Sequence, residues 1–95
     1  MLSQIPIDLK QVSQANLDKE ILRAAIIAEL DAVSLYEQLA SMTQNDHIKQ
    51  VLLDVAKEEK THVGEFQTML LRLDSQQKEE LAHGDAPAVI QSHGA

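Results

Sequence analysis

Cysteine and tryptophan are missing from the 95 residues, and one tyrosine and one phenylalanine are the whole aromatic content. The first absence excludes disulfides and thiolate metal sites, so any metal must be held by carboxylate and imidazole, a donor set that suits iron, manganese or zinc. Three glycines and two prolines leave long uninterrupted runs of good helix formers, and the chain reads as all-helical. Basic residues are few as well. Eight Lys and Arg against 15 Asp and Glu give a formal charge of −7. That balance argues against nucleic acid as a partner, because neutralising phosphates takes clustered cations. No stretch approaches the ~18 apolar residues of a membrane span. The start, "MLSQIPIDLK", has neither the basic nor the apolar region of a signal peptide. The cytoplasm is the expected location.

A chain of this length makes one small domain that buries a limited share of its surface alone, so partners are expected. Residues 1–14, with Pro6 breaking any early helix, read as an extended lead-in. Residues 15–83 read as a helical hairpin with a short third helix. The first helix, capped by Ser13 or Asn16, runs to about Ala40; "SMTQND" is a turn, and Thr43 with Asp46 resembles a capping box opening a second helix to about Leu73. Each long helix should measure roughly 35 to 45 Å, which suits a bundle. The third helix starts near Ser75 and stops at Gly84. The end, "DAPAVIQSHGA", has too little periodic apolar content to assign and reads as a flexible tail over 84–95.

One apolar stripe on the second helix comprises Ile48, Leu52, Val55, Glu59, His62, Phe66, Met69 and Leu73. Glu59 and His62 fall in register with the hydrocarbon. On the first helix the corresponding stripe is Leu22, Ala25 or Ile26, Glu29, Ala32 or Val33, Tyr36 and Leu39, again interrupted at its centre. An unpartnered ionised carboxylate typically costs several kcal/mol to bury, so a cation should face these glutamates. Arg23 lies almost two turns from Glu29, and Lys57 and Lys60 project off the Glu59 stripe. A protonated His62 paired with a glutamate is one solution, and a metal is the other. Glu-x-x-His places a carboxylate and an imidazole one turn apart on one helical face, able to converge on one ion. Di-iron and di-manganese carboxylate bundles use a Glu from each of two helices and Glu-x-x-His from each of two others. This chain holds half of that set, and a two-fold partner would supply the rest: Glu29, Glu59 and His62 from each chain, around two metals.

The segments "AELDAVSLYEQLA" and, about thirty residues on, "EEKTHVGEF" resemble the ferritin-like superfamily. More narrowly, "ELDAVSLY", "EEKTH", the two-helix length and the short C-terminal helix resemble the encapsulated ferritins, over roughly Leu17 to Leu81. That resemblance implies two long antiparallel helices that dimerise into a ferritin-like four-helix bundle, a ring of five dimers (a decamer), and Fe(II) oxidation inside an encapsulin shell that stores the mineral. It implies Glu29, Glu59 and His62 as ferroxidase ligands for two iron ions per dimer interface. Tyr36 would be hydrogen-bonded near them, and Asp31 would form part of an acidic approach for incoming iron. Two departures stand out: Ala28 sits where the family often carries another acid, and the tail shows no shell-targeting peptide.

Other ligand-type residues read more plainly. Glu58 is about 100° around the helix from Glu59, and Glu65 lies off the stripe; both read as surface, as do His47, His83 and His93. Met42 and Met69 read as packing residues, since thioethers prefer softer metals. Three functions compete: a ferroxidase, a rubrerythrin-like di-iron peroxidase or oxygenase, and a non-enzymatic helical adaptor whose Glu–His network fixes pairing register. Against the second, the chain carries no Cys₄ electron-transfer domain.

Overall fold

A computed structural model describes residues 13–92, which are helical almost throughout: α1 (Gln14–Met42), α2 (Asp46–Leu73), α3 (Ser75–Gly84) and α4 (Pro87–Ser92). Residues 1–12 and 93–95, which carry most of the expected lead-in and His93, lie outside the described residues. The hairpin appears where it was expected, with α1 two residues longer than the periodicity suggested. α1 starts after Ser13, whose backbone is extended and whose carbonyl accepts from Asn16 N–H at 3.0 Å.

The second cap differs from the expected capping box. Asn45, one residue before α2, accepts from Ile48 N–H at 3.0 Å, while Thr43 Oγ1 accepts from Asn45 N–H at 3.2 Å. Both residue types make good caps. Asn45 takes the role because its carboxamide reaches the third amide of the helix, and Thr43 instead closes the turn ahead of it.

α1 and α2 run antiparallel and supply nearly all the tertiary packing. Among the described residues the fully buried hydrocarbon is Leu22, Ala40, Ala56 and Leu70, with no large side chain wholly enclosed. The inner line of α2 is thus turned slightly from the expected stripe. Ala56 and Leu70 are buried, whereas Ile48, Met69 and Leu73, all on that stripe, are about half exposed. The reason is that the apolar band of α2 is wider than one contact. One edge packs on α1, and the other, continued by Ile21 and Leu39 of α1, is left uncovered.

Ion pairs brace the hairpin near its middle and at one end. Lys60 on α2 pairs with Glu37 on α1 at 2.8 Å, between half-exposed side chains. Arg23 bonds Glu20 on its own helix and Asp74, the single residue between α2 and α3, at 3.0 Å. Asp74 Oδ1 also caps α3 by accepting from Gln77 N–H at 3.0 Å. The Gln77 amide is the main cause that holds the Asp74 carboxyl below its ordinary value; desolvation opposes it, and the charges of Lys19 and Arg23 add smaller downward effects. α4 lies in the stretch expected to be an irregular tail. Pro87 at its first position provides the preset backbone angle for a helix start.

Two outcomes follow. Gly64 lies mid-α2, and a methyl group there would meet nothing within 4 Å. Gly64→Ala should therefore stabilise the fold by about 0.5–1 kcal/mol, read as a raised denaturation midpoint; an unchanged or lower midpoint would contradict an open helical site. The second concerns acid. A carboxyl with a depressed folded pKa stabilises above its unfolded value, near pH 4, and that contribution disappears as pH falls through the lower folded value. Wild type should lose folding stability, read as the denaturation midpoint, on acidification below about pH 4 more steeply than Asp74→Asn. Parallel curves for the two proteins would count against the assignment.

Candidate metal centre

Midway along α1, Glu29 points across the hairpin toward Glu59 and His62 of α2. One ligand atom from each of the three lies within 4.8 Å of the others. His62 Nδ1 is 3.5 Å from Glu29 Oε2 and 3.5 Å from Glu59 Oε2. These spacings exceed the 2.7–2.9 Å typical of charge-assisted hydrogen bonds. They are close to the roughly 3.4 Å that separates donors sharing one ion at ~2.1 Å in a tetrahedral site. The three groups are gathered around a point without being bonded to one another.

Burial sharpens this. The glutamate side chains are 21% and 19% exposed and His62 is 43% exposed, so the carboxylates lie inside the hairpin and the imidazole at its open edge. Glu29 Oε2 is buried with no hydrogen-bond partner. A buried carboxylate oxygen left unsatisfied is expensive, and no lysine or arginine among the described residues pairs with Glu29 or Glu59. The nearby cations are engaged by other acids: Arg23 by Glu20 and Asp74 at one end of the hairpin, and Lys60, next to Glu59 in sequence, by Glu37. The oxygen-rich donor set, its one imidazole and the orphaned oxygen all fit a borderline or hard divalent ion such as Fe(II).

Glu59 and His62 meet because they are one turn apart on a regular helix. Glu29 meets them because the three-residue turn after Met42 folds α1 back in register. The remaining sequence candidates do not join this group. Tyr36 is half-buried on α1, and among the described residues its hydroxyl makes no hydrogen bond to the three. Asp31 is half-buried but about 200° around α1 from Glu29. Glu58, Glu65 and His47 are exposed, and His83 lies 3.5 Å from Glu80 of its own helix. Sequence reasoning treated Lys60 as solvated and passed over Asp74. The signal for the first was Glu37 on the facing helix; the second partnership spans 51 residues and has no local pattern. No described helix is long and apolar enough to cross a membrane.

Comparison with known proteins identifies the fold and the family. The rubrerythrin family model matches residues 20–90. A ferritin-like–encapsulin shell fusion protein of Pyrococcus furiosus is 58% identical over 65 residues, which is 68% of this chain and 19% of the relative. The encapsulin nanocompartment cargo protein EncC of Myxococcus xanthus is 39% identical over 68 residues, covering 72% of this chain and 52% of the relative. The chain thus spans about half, or less, of the curated relatives it matches. The crystal structure of the encapsulated ferritin domain from Pyrococcus furiosus superposes with a TM-score of 0.75 at 49% identity, over 88% of each chain. With sequence and fold matching along most of its length, the chain belongs to the rubrerythrin family of ferritin-like domains and, within it, to the encapsulated ferritins.

Proposed function

We propose that the chain is a ferroxidase, taking Fe(II) as substrate and releasing Fe(III), at a centre built by two copies. The observation that carries this reading is the convergence of Glu29, Glu59 and His62 around the unsatisfied Glu29 oxygen. Three ligands per chain are half of a di-iron carboxylate set. A two-fold partner supplies the same three, and closely spaced cations need such bridging carboxylates to offset their repulsion. Two iron ions per dimer interface are the proposed load. The apolar edge beside the site, with Val51, Met69 and Leu73 of α2 and Ile21 and Leu39 of α1 each 38–51% exposed, is the surface such a partner would cover.

The names of the relatives, a shell fusion and a nanocompartment cargo protein, support an encapsulin shell as the partner. A location inside that shell in the cytoplasm goes with this reading, as does a higher ring of dimers. The family model's own name favours one second reading, a di-iron peroxidase or oxygenase. Fe(II) oxidation by dioxygen that proceeds in proportion to iron, without an organic reductant, supports the ferroxidase; turnover only with a reductant and peroxide supports the alternative.

Glu29→Ala, Glu59→Ala and His62→Ala should each slow Fe(II) oxidation by more than the 10–100-fold typical of losing a residue that merely supports a ligand, because each substitution removes two ligands from a shared centre. Glu58→Ala should retain most of the rate. Wild-type oxidation in Glu59→Ala would refute the assignment.

Assembly provides a separate check. A ligand held only by the dimer stabilises the dimer, so sedimentation under anaerobic conditions should show Fe(II) shifting monomer to dimer, and chelator reversing it. A metal-loaded monomer oxidising iron at the full rate would rule out a shared centre.

A further inference from the structure

α2 ends and α3 begins on either side of Asp74, with no glycine or proline at the break. Intrinsic preference does not explain the stop. α2 passes without interruption through Gly64, and glycine is a poorer helix former than aspartate. The residues around the joint, "LLRLDSQQKEEL", are otherwise ordinary or good helix formers. Packing of α3 does not account for it either, since none of its residues is fully buried. Leu81, its one large apolar side chain, is 39% exposed beside Ile26, Ile27 and Leu70.

What does hold the bend converges on Asp74. Its backbone is extended, at φ −135° and ψ 92°. Its Oδ1 accepts from Gln77 N–H at 3.0 Å and its carbonyl from Lys78 N–H at 3.1 Å, both interactions that start α3. Its Oδ2 accepts from Arg23 Nη2 of α1 at 3.0 Å, and Arg23 is itself oriented by Glu20. The Asp74 side chain is 14% exposed and that of Arg23 40%, so the carboxylate half of this bond is shielded from water and the guanidinium half only partly.

We infer that α2 and α3 are a single helix held bent by the Arg23–Asp74 pair, and that releasing the pair lets the helix run unbroken from Asp46 to Gly84. An α-helix gains a backbone bond for each residue it propagates through, whereas each extra terminus leaves amides and carbonyls without helical partners. The bend persists because one side chain caps α3 and docks on α1 together. In the straight form Leu81 leaves Ile26, Ile27 and Leu70, so the pair also decides whether that face of the hairpin is covered by the chain's own α3.

The test uses the absence of cysteine: nitroxide labels at Lys49→Cys and Glu79→Cys, both exposed positions, report one distance in chelator with excess unlabelled protein. A straight helix separates these positions by about 45 Å. With Asp74 intact the distance should be single and clearly shorter, and Asp74→Ala should move it to about 45 Å with no loss of helix by circular dichroism. Arg23→Ala, which keeps the cap, should place part of the distribution at the long distance. An unmoved distribution in Asp74→Ala, or a fall in its helix content, would overturn the inference. Should Asp74→Ala fail to fold, Arg23→Ala decides alone: a distribution identical to wild type overturns it, and a new long-distance population supports it.

Discussion

Carboxylates occupy the middle of the α1–α2 hairpin, where two helices packed alone have most need of hydrocarbon, and the rest of the molecule is arranged around that constraint. Leu22 and Leu70 pack toward one end and Ala40 and Ala56 toward the other, so hydrophobic stabilisation comes from both sides of a polar centre. An ionised carboxylate in such surroundings requires a cation or a dense set of donors. The chain offers the two glutamates one imidazole, and Glu29 Oε2, 3.5 Å from it, makes no hydrogen bond.

The placement of positive charge is the counterpart. Arg23 and Lys60, the cations that bridge elements of the hairpin, are tied to acids other than Glu29 and Glu59. With a net charge of −7, the molecule keeps a field that favours the approach of cations, and its own lysines and arginines do not neutralise the site. Helices tied together by ion pairs and a Glu29–Glu59 centre left without a lysine or arginine are two results of one distribution of charge.

How much of this was legible in the sequence depends on the range of each interaction. Helix extents and the Glu59–His62 pair were readable because i, i+3 spacing is local, and Glu29 because it breaks an otherwise apolar stripe. The rotation of the α2 seam was not readable, since a band wide enough for two contacts gives the same periodicity wherever the first neighbour sits. Asn45 and Thr43 were competing caps of similar quality, and only the turn geometry separates them. α4 is too short for periodicity to register, although Pro87 marked its start. The Asp74 joint depends on a residue 51 positions away and lay beyond any window of local pattern.

The hairpin topology also bears on the order of events after synthesis. Nearly all tertiary packing joins two helices adjacent in sequence through a three-residue turn, and chains dominated by such local contacts fold in microseconds to milliseconds. Encounters between copies are slower and depend on concentration. A hairpin folded alone holds Met69, Leu73, Ile21 and Val51 in contact with water. Marginal, half-covered folds are the ones that cellular proteases and chaperones sample most often. On this hairpin the uncovered apolar edge is the surface that such factors would meet.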